Sequence, residues 1–259
     1  MQHASWTVGI LLALLAGLIL YAIFTARRGK RLFIRRIPGL NAIDEAVGRA
    51  AEMGRPMLFA TGLSGLDING LQALAVAGHV ARVAARYATR LILCVADPQL
   101  YAIGEETVRD AYQRAGRPEL FVPEDVRFLS DQQFAFATAA SGVMFREKVS
   151  SNFFFGYYYA EALILSEAGQ SIGAMQVAGT PATTQLPFFV VSCDYTIMGE
   201  EYYATTAYLT REPTLLGSVV GQDWGKIIIL LLIVFSTLAL SVAPNANWVK
   251  YWVNLFPAG

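Results

Sequence analysis

Charge is scarce in this chain, and what little there is cancels. Of 259 residues only 15% are charged, twenty Lys and Arg against twenty Asp and Glu, which excludes a nucleic-acid binder working through bulk positive charge. Two cysteines exclude a disulfide scaffold. Two histidines, His3 and His79, lie far apart in sequence and exclude a His-rich metal site. No C-x-x-C pair exists, so zinc and thioredoxin-type chemistry lack a motif. What is present instead is apolar: 55% of residues are hydrophobic and the mean hydropathy is +0.43, which points to a membrane protein.

Trp6 to Phe24 is nineteen residues without a charge, a helix of about 30 Å at about 1.5 Å per residue. Ile227 to Ala243 is a second uncharged run of seventeen, at the short end of the spanning range. Two crossings are expected, an N-terminal helix within 1–26 and a C-terminal one within 226–243. Between them, Arg27, Arg28, Lys30, Arg31, Arg35 and Arg36 form a basic collar over 27–36. By the positive-inside rule that collar lies in the cytoplasm at the lipid surface, with both termini outside the inner or plasma membrane. A cleaved signal peptide needs its cations before the apolar run, and here only His3 precedes it. In the tail, 244–259, Trp248 and Trp252 share a helix face, as interfacial aromatics do.

Residues 37–225 read as one cytoplasmic domain. All twenty acids fall between Asp44 and Asp223, and twelve basic residues lie among them, a net charge of 12 − 20 = −8. An acidic body is repelled by anionic lipid that holds the collar, and it does not bind nucleic acid through charge. Short β-rich runs alternate with helical stretches, which predicts an α/β domain with a largely parallel, doubly wound-like sheet. Strands are expected at Pro56–Thr61, Leu91–Ala96, Val126–Leu129, Ser171–Ala178 and Pro187–Cys193. Helices are expected at 42–53, 70–88, 105–115, 132–148, 160–168 and 199–210. Ser130 or Asp131 is the expected cap of the helix at 132, and Ala-rich 70–88 should approach a neighbour closely.

Catalytic motifs fail on inspection. Gly221-Gln-Asp-Trp-Gly225-Lys226 has too few residues between its glycines for a phosphate loop and lacks the hydroxyl. Gly62-Leu-Ser64-Gly65 places its second glycine one position early for a nucleophile elbow. His79 falls in a basic stripe with Arg82 and Arg86 rather than beside a serine and an acid. Cys94 and Cys193 end apolar runs as buried thiols do. No cofactor is implied.

Three groupings remain. The turn Gly62, Ser64, Gly65, Asp67 follows a strand, where ligand loops sit, although glycine-rich turns serve geometry first. Asp97, Asp131 and Asp194 each follow an apolar run directly. At the carboxyl ends of parallel strands they would share a pocket, or else each caps the helix after it. Phe153, Phe154, Phe155, Gly156, Tyr157, Tyr158 and Tyr159 pack six aromatics around one glycine, more apolar surface than one strand face conceals, so part of it is expected either at an interface with another subunit or packed as core.

The strings Arg146-Glu-Lys-Val-Ser-Ser-Asn-Phe-Phe-Phe-Gly156, Gln185-Leu-Pro-Phe-Phe189, Cys193-Asp-Tyr-Thr196 and Gly221-Gln-Asp-Trp-Gly-Lys226 resemble an uncharacterised family of prokaryotic two-span membrane proteins, a domain of unknown function. The resemblance covers most of 50–226 and implies one domain between two spans. It implies no activity. The expectation is a membrane-anchored structural or scaffold protein that contacts lipid and forms a homo-oligomer or joins other membrane subunits. The alternative is a small-ligand-binding or enzymatic α/β domain with its pocket at the strand ends.

Overall fold

A computed structural model describes residues 6–30 and 38–242. In chain order the elements are α1 Trp6–Arg27, α2 Pro38–Met53, β1 Met57–Gly62, α3 Ile68–Arg86, β2 Leu91–Val95, α4 Pro98–Arg114, β3 Val126–Phe128, α5 Gln133–Glu147, β4 Ser151–Tyr157, α6 Glu161–Ser171, β5 Met175–Thr180, α7 Leu186–Ser192, β6 Tyr195–Met198, α8 Glu201–Thr210 and α9 Pro213–Val242. The chain divides into two compact units, 36–210 and the two ends, 1–35 with 211–259.

The central unit is built on one six-stranded sheet in the order β3-β2-β1-β4-β5-β6, with every neighbouring pair parallel. This order reverses between β1 and β4, the doubly wound arrangement. A parallel sheet covered on both faces needs strands apolar on both sides, which Leu91-Ile-Leu-Cys-Val95 and Met57-Leu-Phe-Ala supply, buried throughout. Alternate side chains feed two cores. Phe59, Phe153, Phe155 and Val177 meet α2, α3, α4 and Tyr202 of α8. Leu58, Phe154 and Ala178 meet α5, α6 and Phe189 of α7. Phe59 stacks between Phe153 and Phe155 at 6.3 and 5.8 Å, and each buried ring contributes roughly 1.5–3 kcal/mol.

Two local expectations are corrected. Pro187–Cys193 is helix α7, and the edge strand is the following β6. A short apolar run has no period of its own, and Pro187 in the first helical turn loses no hydrogen bond. Helix α4 begins at Pro98, not Glu105, because Asp97 caps it and proline follows the cap. Gly104 is no break: a Cβ there would stand 3.0 Å from Leu93 and 3.3 Å from Leu74, so the glycine lets α4 lie close to the sheet and α3.

In the other unit, α1 and α9 are long and apolar enough to cross a membrane. Helix α9 starts at Pro213 rather than Lys226, so Asp223 and Lys226 lie inside it. The two helices pack antiparallel through Gly217, Gly221 and Gly225, one turn apart. A Cβ on Gly217 would overlap the backbone of Ile23, one on Gly221 would stand 2.7 Å from Ile19 Cα, and one on Gly225 3.2 Å from the Leu15 side chain. This is the small-xxx-small pattern of close helix approach.

Candidate functional site

In an open parallel sheet the ligand crevice lies outside the carboxyl ends of the strands where their order reverses, here between the loops after β1 and β4. The first loop is the expected glycine turn. Gly62 has φ +60° and starts a bulge, so that Ala60 pairs with Phe154 but Gly62 with Tyr157. Beyond it the two loops stay hydrogen-bonded. Leu63 N donates to Tyr157 O (3.0 Å), and Tyr157 N donates to Ser64 Oγ (2.7 Å). Gly156, at φ +145°, permits this approach, since a Cβ there would overlap the Thr61 carbonyl and stand 2.6 Å from Ser64 Oγ. The Tyr158 hydroxyl, buried below the crevice, donates to Ala60 O (2.6 Å), and burial holds its pKa well above the usual tyrosine value. The chain's own groups bridge the crevice.

The acids beside it are engaged in backbone work. Asp67 Oδ1 accepts from Gly70 N (2.8 Å), capping α3, and its Oδ2 accepts from Asn69 Nδ2 (3.0 Å). Tyr202 and Tyr203 hydroxyls donate to Asn69 O (2.6 Å) and Oδ1 (2.9 Å), fixing α8 over the same turn. Asp97 Oδ1 accepts from Gln99 N and Leu100 N, both at 2.8 Å. Gly65 lies beside it, the position of an added Cβ being 3.8 Å from Asp97 Oδ2. Asp131 follows the outer strand β3. There Ser130 Oγ accepts from Gln132 N (3.1 Å), while α5 itself starts without a side-chain cap.

Asp194 is a correction, because it precedes β6 instead of following a strand. Its Oδ2 accepts from Gln176 N (2.7 Å) near the start of β5, at the amino ends of the strands. At about 3.3 Å per residue, β5 separates it from the crevice by more than 10 Å, so the three aspartates do not share one pocket. It lines instead a shallow groove of about 360 Å³ with Arg49, Gln176 and Ser192.

The aromatic run is the second correction. Phe153, Phe154, Phe155 and Tyr158 are fully buried within this chain because β4 is a central strand with helices on both faces. Gly156 serves the crevice closure. Of the seven expected interface residues only Tyr159 is exposed, with Tyr157 half-buried against it.

Residues missed by sequence reasoning complete the region. Glu161 is fully buried, not an exposed helix charge. Its Oε1 accepts from Tyr159 N (2.9 Å) and its Oε2 from Gln133 Nε2 (2.7 Å), tying the loop after β4 to α5. Its place in the first turn of α6 was the available signal. At the opposite end, Arg90 forks onto Asp125 (2.8 Å from Nε) and reaches Glu147 (2.8 Å), which Arg127 also contacts (2.9 Å). Hydrogen bonds from Arg127 and Arg90 hold the Glu147 carboxyl below its ordinary pKa.

The two thiols and His79 are shifted by their surroundings. Burial pushes the Cys94 thiol up to about 12 and Cys193 higher. Burial first, then Arg82 and Arg86, depress His79 against the opposing pull of Asp44. Among the described residues no group of three His, Cys, Asp or Glu side chains is placed to hold a metal.

Of the collar, Arg27 donates to Thr214 Oγ1 at 3.2 Å, and the Arg28 guanidinium lies 4.9 Å over Phe24. Lys30 is exposed. Arg31, Arg35, Arg36, Trp248 and Trp252 lie outside the described residues. No curated protein and no solved structure matches this chain. A family match covers residues 1–251, both apolar helices and the α/β unit included, and the chain therefore belongs to DUF6754, a domain of unknown function.

Proposed function

We propose that this protein is a membrane-anchored scaffold. Helices α1 and α9 cross the bilayer, the collar and α/β unit lie in the cytoplasm with both termini outside, and that unit self-associates or docks onto a larger membrane assembly. The observation that carries this reading is the outer surface of the α5, α6 and α7 layer. There Phe134, Phe145, Leu163, Ile164, Val190 and Val191 are exposed, Val191 at 83%. Single apolar residues on a surface are ordinary, but six large ones on helices packed side by side are the composition of an interface. The self-bridged crevice and the capping of Asp67 and Asp97 weigh against the alternative, a ligand pocket at the strand ends.

The test is the full chain in detergent, measured by light scattering and by thermal melting with ATP, NAD or Mg²⁺ added. The expected result is more than one copy per particle, fewer copies in Val191→Asp, and an unchanged melting temperature. A single-copy particle whose melting rises saturably with one of these ligands, and not in Asp97→Ala, overturns the scaffold reading in favour of the pocket.

A further inference from the structure

We propose that the groove between α1 and α9 holds an acyl chain of an anionic phospholipid of the cytoplasmic leaflet, with the lipid phosphate on Arg28. This rests on reading α1 and α9 as membrane-crossing helices, and it adds the class of lipid and the residues that hold it.

The groove follows from how the two helices meet. Gly217, Gly221 and Gly225 bring α9 close onto α1, and beside that contact larger side chains stand on both helices. Leu18, Tyr21, Ala22 and Thr25 of α1 face Val220 and Trp224 of α9 across about 190 Å³. That is below the roughly 300–1,000 Å³ of a small-molecule pocket, so the space suits a chain laid lengthwise. The α1 wall recurs at every third or fourth residue, which is one helix face. From Leu18 to Thr25 it is about 10 Å long. Tyr21 and Trp224 form the rims, 71% and 60% exposed.

The polar groups on this wall call for an acceptor. Thr25 Oγ1 donates to Tyr21 O at 2.8 Å, so that hydroxyl is satisfied within its own helix. The Tyr21 hydroxyl and the Trp224 indole N–H have no hydrogen-bond partner among the described residues. Hydrocarbon offers them none, and an unpaired donor there is costly. The ester and phosphate oxygens of a phospholipid are acceptors carried on an apolar chain, which matches both the donors and the wall.

Charge selects the kind of phospholipid. No acid precedes Asp44 in the sequence. Arg27 turns to α9, where it donates to Thr214 Oγ1 at 3.2 Å. Arg28 belongs to the groove side: its backbone N still donates to Phe24 O at 3.1 Å, which sets it two helical turns beyond Tyr21 on the same face. Its guanidinium folds back along the helix, 4.9 Å over the Phe24 ring. The order along α1 is therefore cation, donor-bearing ring, apolar wall, and the order in a phospholipid is phosphate, ester, chain. Cations at the cytoplasmic end of a spanning helix attract anionic lipid, and the groove gives that attraction a fixed seat.

The test is fluorescence quenching of Trp224 in the full chain, with Trp6, Trp248 and Trp252 changed to Phe. The protein is reconstituted in phosphatidylcholine vesicles containing a rising fraction of brominated phosphatidylglycerol or, separately, of brominated phosphatidylcholine. Carbonate washing shows whether the chain is inserted. The expected result is saturable quenching that is half complete at a severalfold lower fraction of phosphatidylglycerol. Arg28→Gln is expected to lose about fivefold of that preference, the effect of one cation at anionic lipid. Lys30→Gln, beyond Gly29 whose φ of +81° ends the helix, is expected to retain most of it. Equal losses in the two variants overturn the site and leave a collar that attracts anionic lipid without seating it. Equal quenching of the parent by the two brominated lipids also overturns it, whether or not the variants insert. An unquenched parent that resists carbonate shows that protein covers Trp224, which overturns the site and leaves the membrane reading standing. Release of the parent by carbonate overturns both.

Discussion

Gly156→Ala tests whether the strand-order reversal is a closed joint or an open crevice. The added methyl overlaps the Thr61 carbonyl and stands 2.6 Å from Ser64 Oγ, at a backbone φ of +145° that side chains rarely adopt. Holding an alanine there costs about 1–3 kcal/mol in strain. Forcing Ser64 away removes the acceptor of Tyr157 N, and a stranded backbone N–H costs about 1–3 kcal/mol more. The sum is about 2–6 kcal/mol. For a unit the size of 36–210 each kcal/mol shifts melting by about 2–4 °C, so a fall of about 5–20 °C is expected. The assay is near-ultraviolet circular dichroism of the full chain in detergent, in which the Tyr158 and Phe154 environment reports the central core. Ser64→Ala leaves the backbone unstrained and should lose about half as much. A Gly156→Ala melt within 2 °C of the parent would refute the closed joint and reopen the crevice as a binding site.

Three further outcomes follow from the same geometry. Glu147 has its pKa depressed in the fold by Arg127 and Arg90, so its contribution is present above the ordinary glutamate pKa of about 4.3 and is lost as pH falls through the folded value. Urea midpoints measured between pH 6 and 3 should fall more steeply in the parent than in Glu147→Gln, and parallel curves would contradict the network. Gly221→Leu should separate α1 from α9, because the side chain has no room against Ile19. Cysteines placed at Leu18 and Val220, which line one groove of the helix pair, and cross-linked with a short reagent should then react less than in the Gly221 background, and equal yields would refute the close packing. Cys94 is fully buried with its pKa raised to about 12, so alkylation followed by mass spectrometry should track global unfolding in rising urea. Rapid labelling in native buffer would show that β2 is open.

The first half of the α/β unit was legible because its punctuation is local. The apolar runs Met57-Leu-Phe-Ala and Leu91-Ile-Leu-Cys-Val mark two strands without reference to anything distant, whereas the helix start at Asp97-Pro98, just as local, was placed seven residues late. From β4 onward, long-range placement decides. Nothing in Asn152-Phe-Phe-Phe-Gly-Tyr-Tyr-Tyr says that the strand is central and covered on both faces, so its aromatics read as surplus surface when they are core. Asp194 follows an apolar run that is a helix, which moved it to the other end of the sheet. Glu161 looks like any first-turn acid until the loop after β4 folds over it. The glycines at 217, 221 and 225 were readable as a helix-packing pattern. They escaped notice because the charges at 223 and 226 put them outside the hydropathic run.

The most direct measurement of the central claim is labelling with a maleimide that cannot cross membranes. Tyr87→Cys, on the exposed end of α3, is made in a Cys193→Ser background, leaving buried Cys94 as the only native thiol. With α1 and α9 crossing the bilayer and the collar inside, intact bacterial cells should protect position 87 and permeabilised cells should label it fully. Labelling in intact cells to the permeabilised level would contradict that placement of the α/β unit and the proposals built on it.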